Sequence, residues 1–329
     1  MHSITVRSLQ ELHAVLTEEL FISHIVLEGG VYENLDLSGY RFQQVVFQNV
    51  TFIRCSFLET TWSECVWQHV LLDQCVLKNS QFTQSQFEDI KAIDLDATAC
   101  QFEQSQFRHV TWGQNALLHK TKWSESVFHS IEFPVFLMSA MMVECDFWHL
   151  KLPQDSHWLQ VYWEQCRAKQ AIFQGATLEQ VKFYECDFEE ANFSYVTAPI
   201  LGASYSHFAQ AQFIGAMLSG AMLDHARCHQ ANFTEANLAH AQLKSSLFHQ
   251  AVFAKAELNY ADFSYAELNG ANCLASLKMA NFHGAQLIGA VMPQEIPISW
   301  RGDDLELRHA ELWQPDPKWL GLIGKKDEL

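Results

Sequence analysis

The 329-residue sequence contains no run of 18 apolar residues, the length a helix needs to cross a bilayer. Its opening, MHSITVRSLQELH, lacks the charged-then-apolar layout of a secretory leader, which points to a soluble cytoplasmic protein with no membrane partner. Basic residues are scarce: 21 Lys and Arg against 38 Asp and Glu give a formal charge of −17, which disfavours direct contact with a nucleic-acid backbone. There is no Gly-rich phosphate loop, no nucleophile elbow, and no His, Cys or carboxylate cluster that stands out from the background. The sequence therefore offers no catalytic, cofactor-binding or metal-binding residues, and an enzyme is not expected. Three short matches are set aside as coincidence: the final KDEL, which has no leader before it, the Arg301-Gly302-Asp303 triplet, and the sequons at Asn192 and Asn232.

What the sequence has is a beat of five. Stepping by fives from Leu37 to Leu117 visits 17 positions, all Phe, Leu or Trp except Ala92 and Ala97. From Phe173 to Cys273 the same step visits 21 positions, of which 17 are Phe or Leu, and Ala stands two residues earlier at 15 of them. A straight helix would scatter five-spaced residues around its circumference, and a flat strand would send them to alternate faces. Only a chain that changes direction once per repeat keeps them on one side. Between the blocks the register slips, from Leu117 to Trp123, from Met138 past Val143 to Phe147, from Leu152 to Trp163, and from Cys273 to Leu277. Pro153 and Pro199 are the expected local breaks.

At ANFTE (231–235), ANLAH (236–240), AELNY (256–260), ADFSY (261–265), AELNG (266–270) and ANFHG (280–284) the chain resembles the pentapeptide-repeat family, with its tandem A-[DN]-[LF]-x-x. The resemblance implies an all-β fold, a right-handed quadrilateral parallel β-helix with four repeats per coil, the large central residue and the small one before it facing inward. In the first block Val45, Cys55, Thr60 and Cys65 replace the alanine, so its coils are expected to be wider or less regular.

A solenoid exposes an apolar disc at each end and needs caps. Residues 1–20 are read as the first cap, a short helix opened by the Ser8–Glu11 capping box and lined by Leu9, Leu12, Leu16 and Leu20. The β-helix spans 21–292, irregular and acidic to about 170 and regular and Ala-rich over 171–292. Residues 293–329 form a non-repeat tail or second cap with Trp300, Trp313 and Trp319 as covering residues. All nine cysteines fall on inward positions, with Cys55 and Cys75, and Cys166 and Cys186, 20 apart. A disulfide or metal ladder is the sharp reading of that spacing, and core filling in a reducing compartment is the one adopted.

Function is sought on the outside. His109, His129 and His149, also 20 apart, are read as solvated residues in one row, with metal binding or pH sensing as the alternative. Glu144, Glu164 and Glu185, with Asp187, Glu189 and Glu190 nearby, recur at about one-coil spacing, as a solubilising face or as a carboxylate ladder. Trp62, Trp67, Trp112, Trp123 and Trp163 belong to the core grid, whereas Trp148 and Trp158 fall off it, beside Pro153. Residues 148–160 are therefore expected to contact a partner, with Trp148 and Trp158 as aromatic anchors, and Trp313 and Trp319 are further candidates. The expected function is a non-catalytic, rod-shaped scaffold that binds another protein, such as an adaptor or accessory protein of a bacterial secretion system. Delivered effectors are another setting the resemblance permits. Family members that modulate DNA gyrase by mimicking DNA supply the competing reading.

Overall fold

A computed structural model describes residues 4–16 and 19–294. After strand Ile4–Val6 and helix α1, Leu9–Val15, the chain winds into a four-sided parallel β-solenoid. One face is a nine-stranded ladder from Phe21 to Lys182, continued by single bridges through Gly202, Met222, Gln242, Asp262 and Asn281. The Trp148 face runs from Ile4 through the strands at Ile25, Val46, Val66, Gln86, Gln106, Val127 and Asp146, then by bridges from Arg167 to Gln286. The ladders beginning at Val31 and Asp36 complete the square.

Each corner has a local cause. The residue two after the central one takes the left-handed conformation, as at Asn34 (φ 54°) and Glu235 (φ 60°), which is sterically unfavourable for most side chains. Its N–H donates to the next coil, as from Glu235 to the Ala254 carbonyl at 3.0 Å, and this repeated bond holds the turn. Just before the central residue, Asn232, Asn237 and Asp262 accept from the N–H two residues on, each at 3.0 Å. That Asx turn is the physical reason for Asn or Asp at this position. On three ladders of the first part Thr and Val, which favour extended backbone, and Gln occupy much of the same place, and three-residue strands stand where the later coils give bridges. The first block is no less regular in register, since Val31, Thr51, Leu71 and Lys91 pair at steps of 20.

The interior is one stack of rings and small residues. Phe213, Phe233 and Phe253 lie parallel at 4.7 and 5.1 Å. Trp112 fills the space beside Ala92, its register partner. The five grid tryptophans and all nine cysteines are buried. At the first end Ser8 Oγ accepts from Glu11 N at 3.2 Å and Leu12 is buried. Leu9 and Leu20, expected to line the same side, are exposed instead. The helix is only seven residues long, and Leu20 already belongs to a left-handed corner.

Two of the slips fall at other residues than the spacing suggested, while those across 153–160 and from Cys273 to Leu277 fall where it put them. An extra residue between Trp112 and Ala116 turns Leu117 outward and puts Leu118 in the core. A missing residue after Phe133, at Pro134, makes Leu137 and Met142 the inward pair, in place of Met138 and Val143. A second insertion at Pro153–Ser156 brings Trp158 inward, fully buried between Leu137 and Leu178 in the ladder. Across Pro199 the beat does not fail, since Ala198, Leu201 and Ala203 are all buried.

Candidate functional site

Trp148 is the tryptophan that the slipped region leaves outside. It ends strand Asp146–Trp148 with 55% of its surface exposed, while its ring lies against His129 at 6.0 Å and 11°. The strand segment continues after it only as single bridges, and here an open groove of about 470 Å³ is lined by Trp148, His149, Asp146, Arg167, Lys169 and Gln170. Around the adjoining corners a shallower depression of about 360 Å³ lies between Lys151, Asp155, Ile172 and Tyr195. Gly175, whose added Cβ would meet nothing within 4 Å, leaves that corner open.

The charges of the groove are arranged in pairs. Arg167 forms a two-point contact with Asp146, which raises the guanidinium pKa. Lys169 reaches Glu189 at 2.6 Å and Asp187 at 3.3 Å, and these carboxylates raise its pKa. His207 adds a contact to Asp187 at 3.1 Å, and Gln170 donates to Glu190 at 2.8 Å. His129 is held below the ordinary imidazole value by partial burial and by Arg108, His149 and His109.

The expected contact residues thus separate. Trp148, Asp187, Glu189 and Glu190 gather at or beside the groove, whereas Trp158 is a core residue and unable to anchor a partner. Its expectation failed because the insertion at Pro153–Ser156 moves it onto the inward grid. The Glu144, Glu164 and Glu185 row also breaks. Glu144 and Glu185 occupy one corner column with Gln165 between them, and Gln165 donates to Glu185 at 2.8 Å. Glu164 stands one column away, paired with Val143 and Tyr184 and accepting from the Tyr162 hydroxyl at 3.1 Å. The histidine row breaks for the same reason: His129 pairs with Arg108 and Trp148, not with His109 or His149. Trp300, Trp313 and Trp319 lie outside the described residues.

Arg167 and Lys169 were missed by the sequence reading, which attended to aromatics and carboxylates. Their signal was two basic residues inside an acidic stretch. Among the described residues no group of three or more His, Cys, Asp and Glu is placed to hold a metal, and no helix is long and apolar enough to cross a membrane.

The family model for pentapeptide repeats matches this chain in 8 copies, over residues 165–197, 211–250 and 236–272. No curated protein matches. Among solved structures, the chain is similar to the pentapeptide repeat protein Rfr23 from the cyanobacterium Cyanothece 51142, at 22% identity and a TM-score of 0.27, over 30% of this chain and 66% of that one. QnrB1, described as a plasmid-mediated fluoroquinolone resistance protein, aligns at 14% identity and a TM-score of 0.30, over 68% of this chain and 98% of that one. HetL from Nostoc sp. strain PCC 7120, involved in heterocyst differentiation regulation, aligns at 18% identity and a TM-score of 0.17, over 83% and 91%. Scores this low say nothing about role. The matched repeats sit in the coil whose four ladders continue in register before them and to residue 291, and the chain is a pentapeptide-repeat protein.

Proposed function

We propose that this protein is a non-catalytic interaction scaffold in which the solenoid, residues 21–292 between a first cap at 1–20 and a tail from 293, presents the groove at Trp148 to another protein. The observation that carries the reading is an indole left 55% exposed above an open groove, on a solenoid whose five grid tryptophans and Trp158 are buried inside. A rigid, half-exposed aromatic with charged side chains around it has the composition of an interface anchor inside a polar rim. Within this class an adaptor or accessory protein of a bacterial secretion system, working in the cytoplasm, is the specific role we favour, and a delivered effector is compatible with the same surface.

The competing reading, a DNA mimic that occupies a topoisomerase, needs an uninterrupted carboxylate row. Net charge supports it, but the row is interrupted by Gln165, and Asp187 and Glu189 are already engaged by Lys169. A photo-crosslinking residue at position 148, with one at the exposed Gln242 on another face as control, tests the scaffold reading. A discrete adduct from position 148 alone, identified by mass spectrometry in the native host, is expected; equal adducts from both positions overturn it. Gyrase supercoiling inhibited at near-stoichiometric protein would establish the mimic instead.

A further inference from the structure

The face that carries Trp148 also collects the arginines of the solenoid's later coils. All three arginines between residues 55 and 294, Arg108, Arg167 and Arg227, lie on it. One outward column runs Asp146, Arg167, Asp187, His207, Arg227 and on to Glu267. Beside it Glu88, Arg108, His129 and Trp148 pair in sequence, and further along the same face His229 and His249 stand with ring centres 5.1 Å apart.

From Glu88 onward, with the corner residues Asp89 and Glu190 left aside, the permanent charges of this face nearly cancel. Carboxylates at Glu88, Asp146, Asp187, Glu189 and Glu267 stand against cations at Arg108, Arg167, Lys169 and Arg227. The sign is then set by the imidazoles of His129 and His229, since histidine is the side chain whose charge changes near neutral pH. Their protonation turns a face with one surplus carboxylate into a net cationic one, on a chain whose formal charge is −17.

Where the new charge appears matters as much as its amount. His207 and His249 already have carboxylates, Asp187 at 3.1 Å and Glu267 at 2.7 Å. His129 has none among the described residues; it faces Arg108 and Trp148 in its column and His109 and His149 at the adjoining corner. His229 faces His249, His207 and Arg227, and its nearest carboxylate, Glu267, is engaged by His249. Burial and these cations lower the pKa of both imidazoles. When they do charge, their charge is left for a ligand.

We propose that this face is an acid-responsive docking surface for an acidic polypeptide segment, laid along the solenoid axis with an apolar side chain against Trp148 and carboxylates over His129 and His229. Five coil spacings separate those imidazoles, about 24 Å at the spacing of paired strands, which about seven or eight extended residues span. The proposal rests on Trp148 as a contact residue and adds the chemistry of what it contacts.

The test uses the full chain and a fluorescein-labelled ten-residue peptide of alternating glutamate and serine with one central leucine, read by anisotropy at pH 7.5 and pH 5. Affinity is expected to rise roughly tenfold on acidification. The double variant His129→Gln/His229→Gln should lose the rise, His225→Gln/His240→Gln should keep it, and Trp148→Ala should weaken binding at both pH values. Equal affinity at both pH values, a rise that survives in the first double variant, or binding to phosphatidylserine vesicles with none to the peptide would each overturn the proposal. A crosslink from position 148 together with no peptide binding would reject the acidic segment alone, leaving the scaffold reading in place; failure of both would reject the contact site as well.

Discussion

The ring of Tyr195 lies across Gly215, one coil further on at the same corner, so closely that a Cβ on the glycine would sit 2.8 Å from Tyr195 Cε1. Gly215 is at φ 62°, but that alone does not require glycine here, because Asn, Gln, Glu and His hold the same conformation at other corners. The aromatic neighbour supplies the requirement. Gly215→Ala is therefore expected to destabilise by about 1 kcal/mol beyond Gly175→Ala, whose added Cβ meets nothing. Tyr195 is 61% exposed and its ring can swing away, so adding Tyr195→Ser should recover most of that difference. A double-mutant cycle by denaturant unfolding reads the coupling, and additivity of the two changes would contradict it.

Phe233 is fully buried between Phe213 and Phe253 in the parallel stack. Its removal leaves a cavity that neighbouring coils cannot close, since each is fixed to the next by the corner and ladder hydrogen bonds. Phe233→Ala should cost about 3 to 5 kcal/mol, while Glu235→Gln in the same repeat, on the outer corner, should change little. Thermal melting of the two variants compares them directly, and an unchanged midpoint for Phe233→Ala would refute the inward stack.

That inward stack was legible because spacing alone distinguishes a five-residue beat from both regular backbone periods. Phe233, Leu238 and Leu243 sit where the spacing put them, as do the cysteines. Two of the single-residue slips were visible as slips but could not be located. Leu117 and Leu118 are both leucine, and Met138 and Leu137 are equally apolar, so hydropathy cannot say which of each pair turns inward. The consequence was larger on the surface than in the core. A slip of one residue separates His109 from His129 and Glu144 from Glu164 by a whole column, and it hides Trp158 while leaving Trp148 outside. The paired cations Arg167 and Lys169 carry no periodic signal, and only the ladder register places them beneath Trp148.

The cysteines bear on chemistry as well as packing. Burial pushes the Cys65 thiol up to about 11 and the Cys100 thiol up to about 12, and Cys100 Sγ also donates to the Leu77 carbonyl at 2.9 Å. The thiolate is the reactive form, and although the hydrogen bond with the Cys75 thiol lowers Cys55 to about 7, Cys55 is shut in the core, so the folded protein should resist an aromatic disulfide reagent at pH 8 and release all nine thiols only on unfolding. Thiol titration with and without guanidinium measures this. Rapid reaction of several thiols in the native state would show that the coils open or that the sulfurs face outward.

Acid should weaken the solenoid through its Asx-turn carboxylates, and Asp262 is the clearest case. Burial would raise its pKa, yet the Ser264 hydroxyl and N–H and the Lys244 ammonium, 3.3 Å away, together hold it below the usual value. A carboxylate depressed in the folded state stabilises fully above its unfolded pKa, about 3.9, and loses that contribution as pH falls through the folded value. Stability measured by denaturant unfolding should therefore be level between pH 6 and pH 5 as far as this residue is concerned, then decline below about pH 4. Asp262→Asn keeps the acceptor for the Ser264 N–H while removing the charge that Lys244 answers. It should start less stable at pH 6 and show a shallower decline in acid, and a decline as steep as that of the unmodified protein would place the acid sensitivity elsewhere.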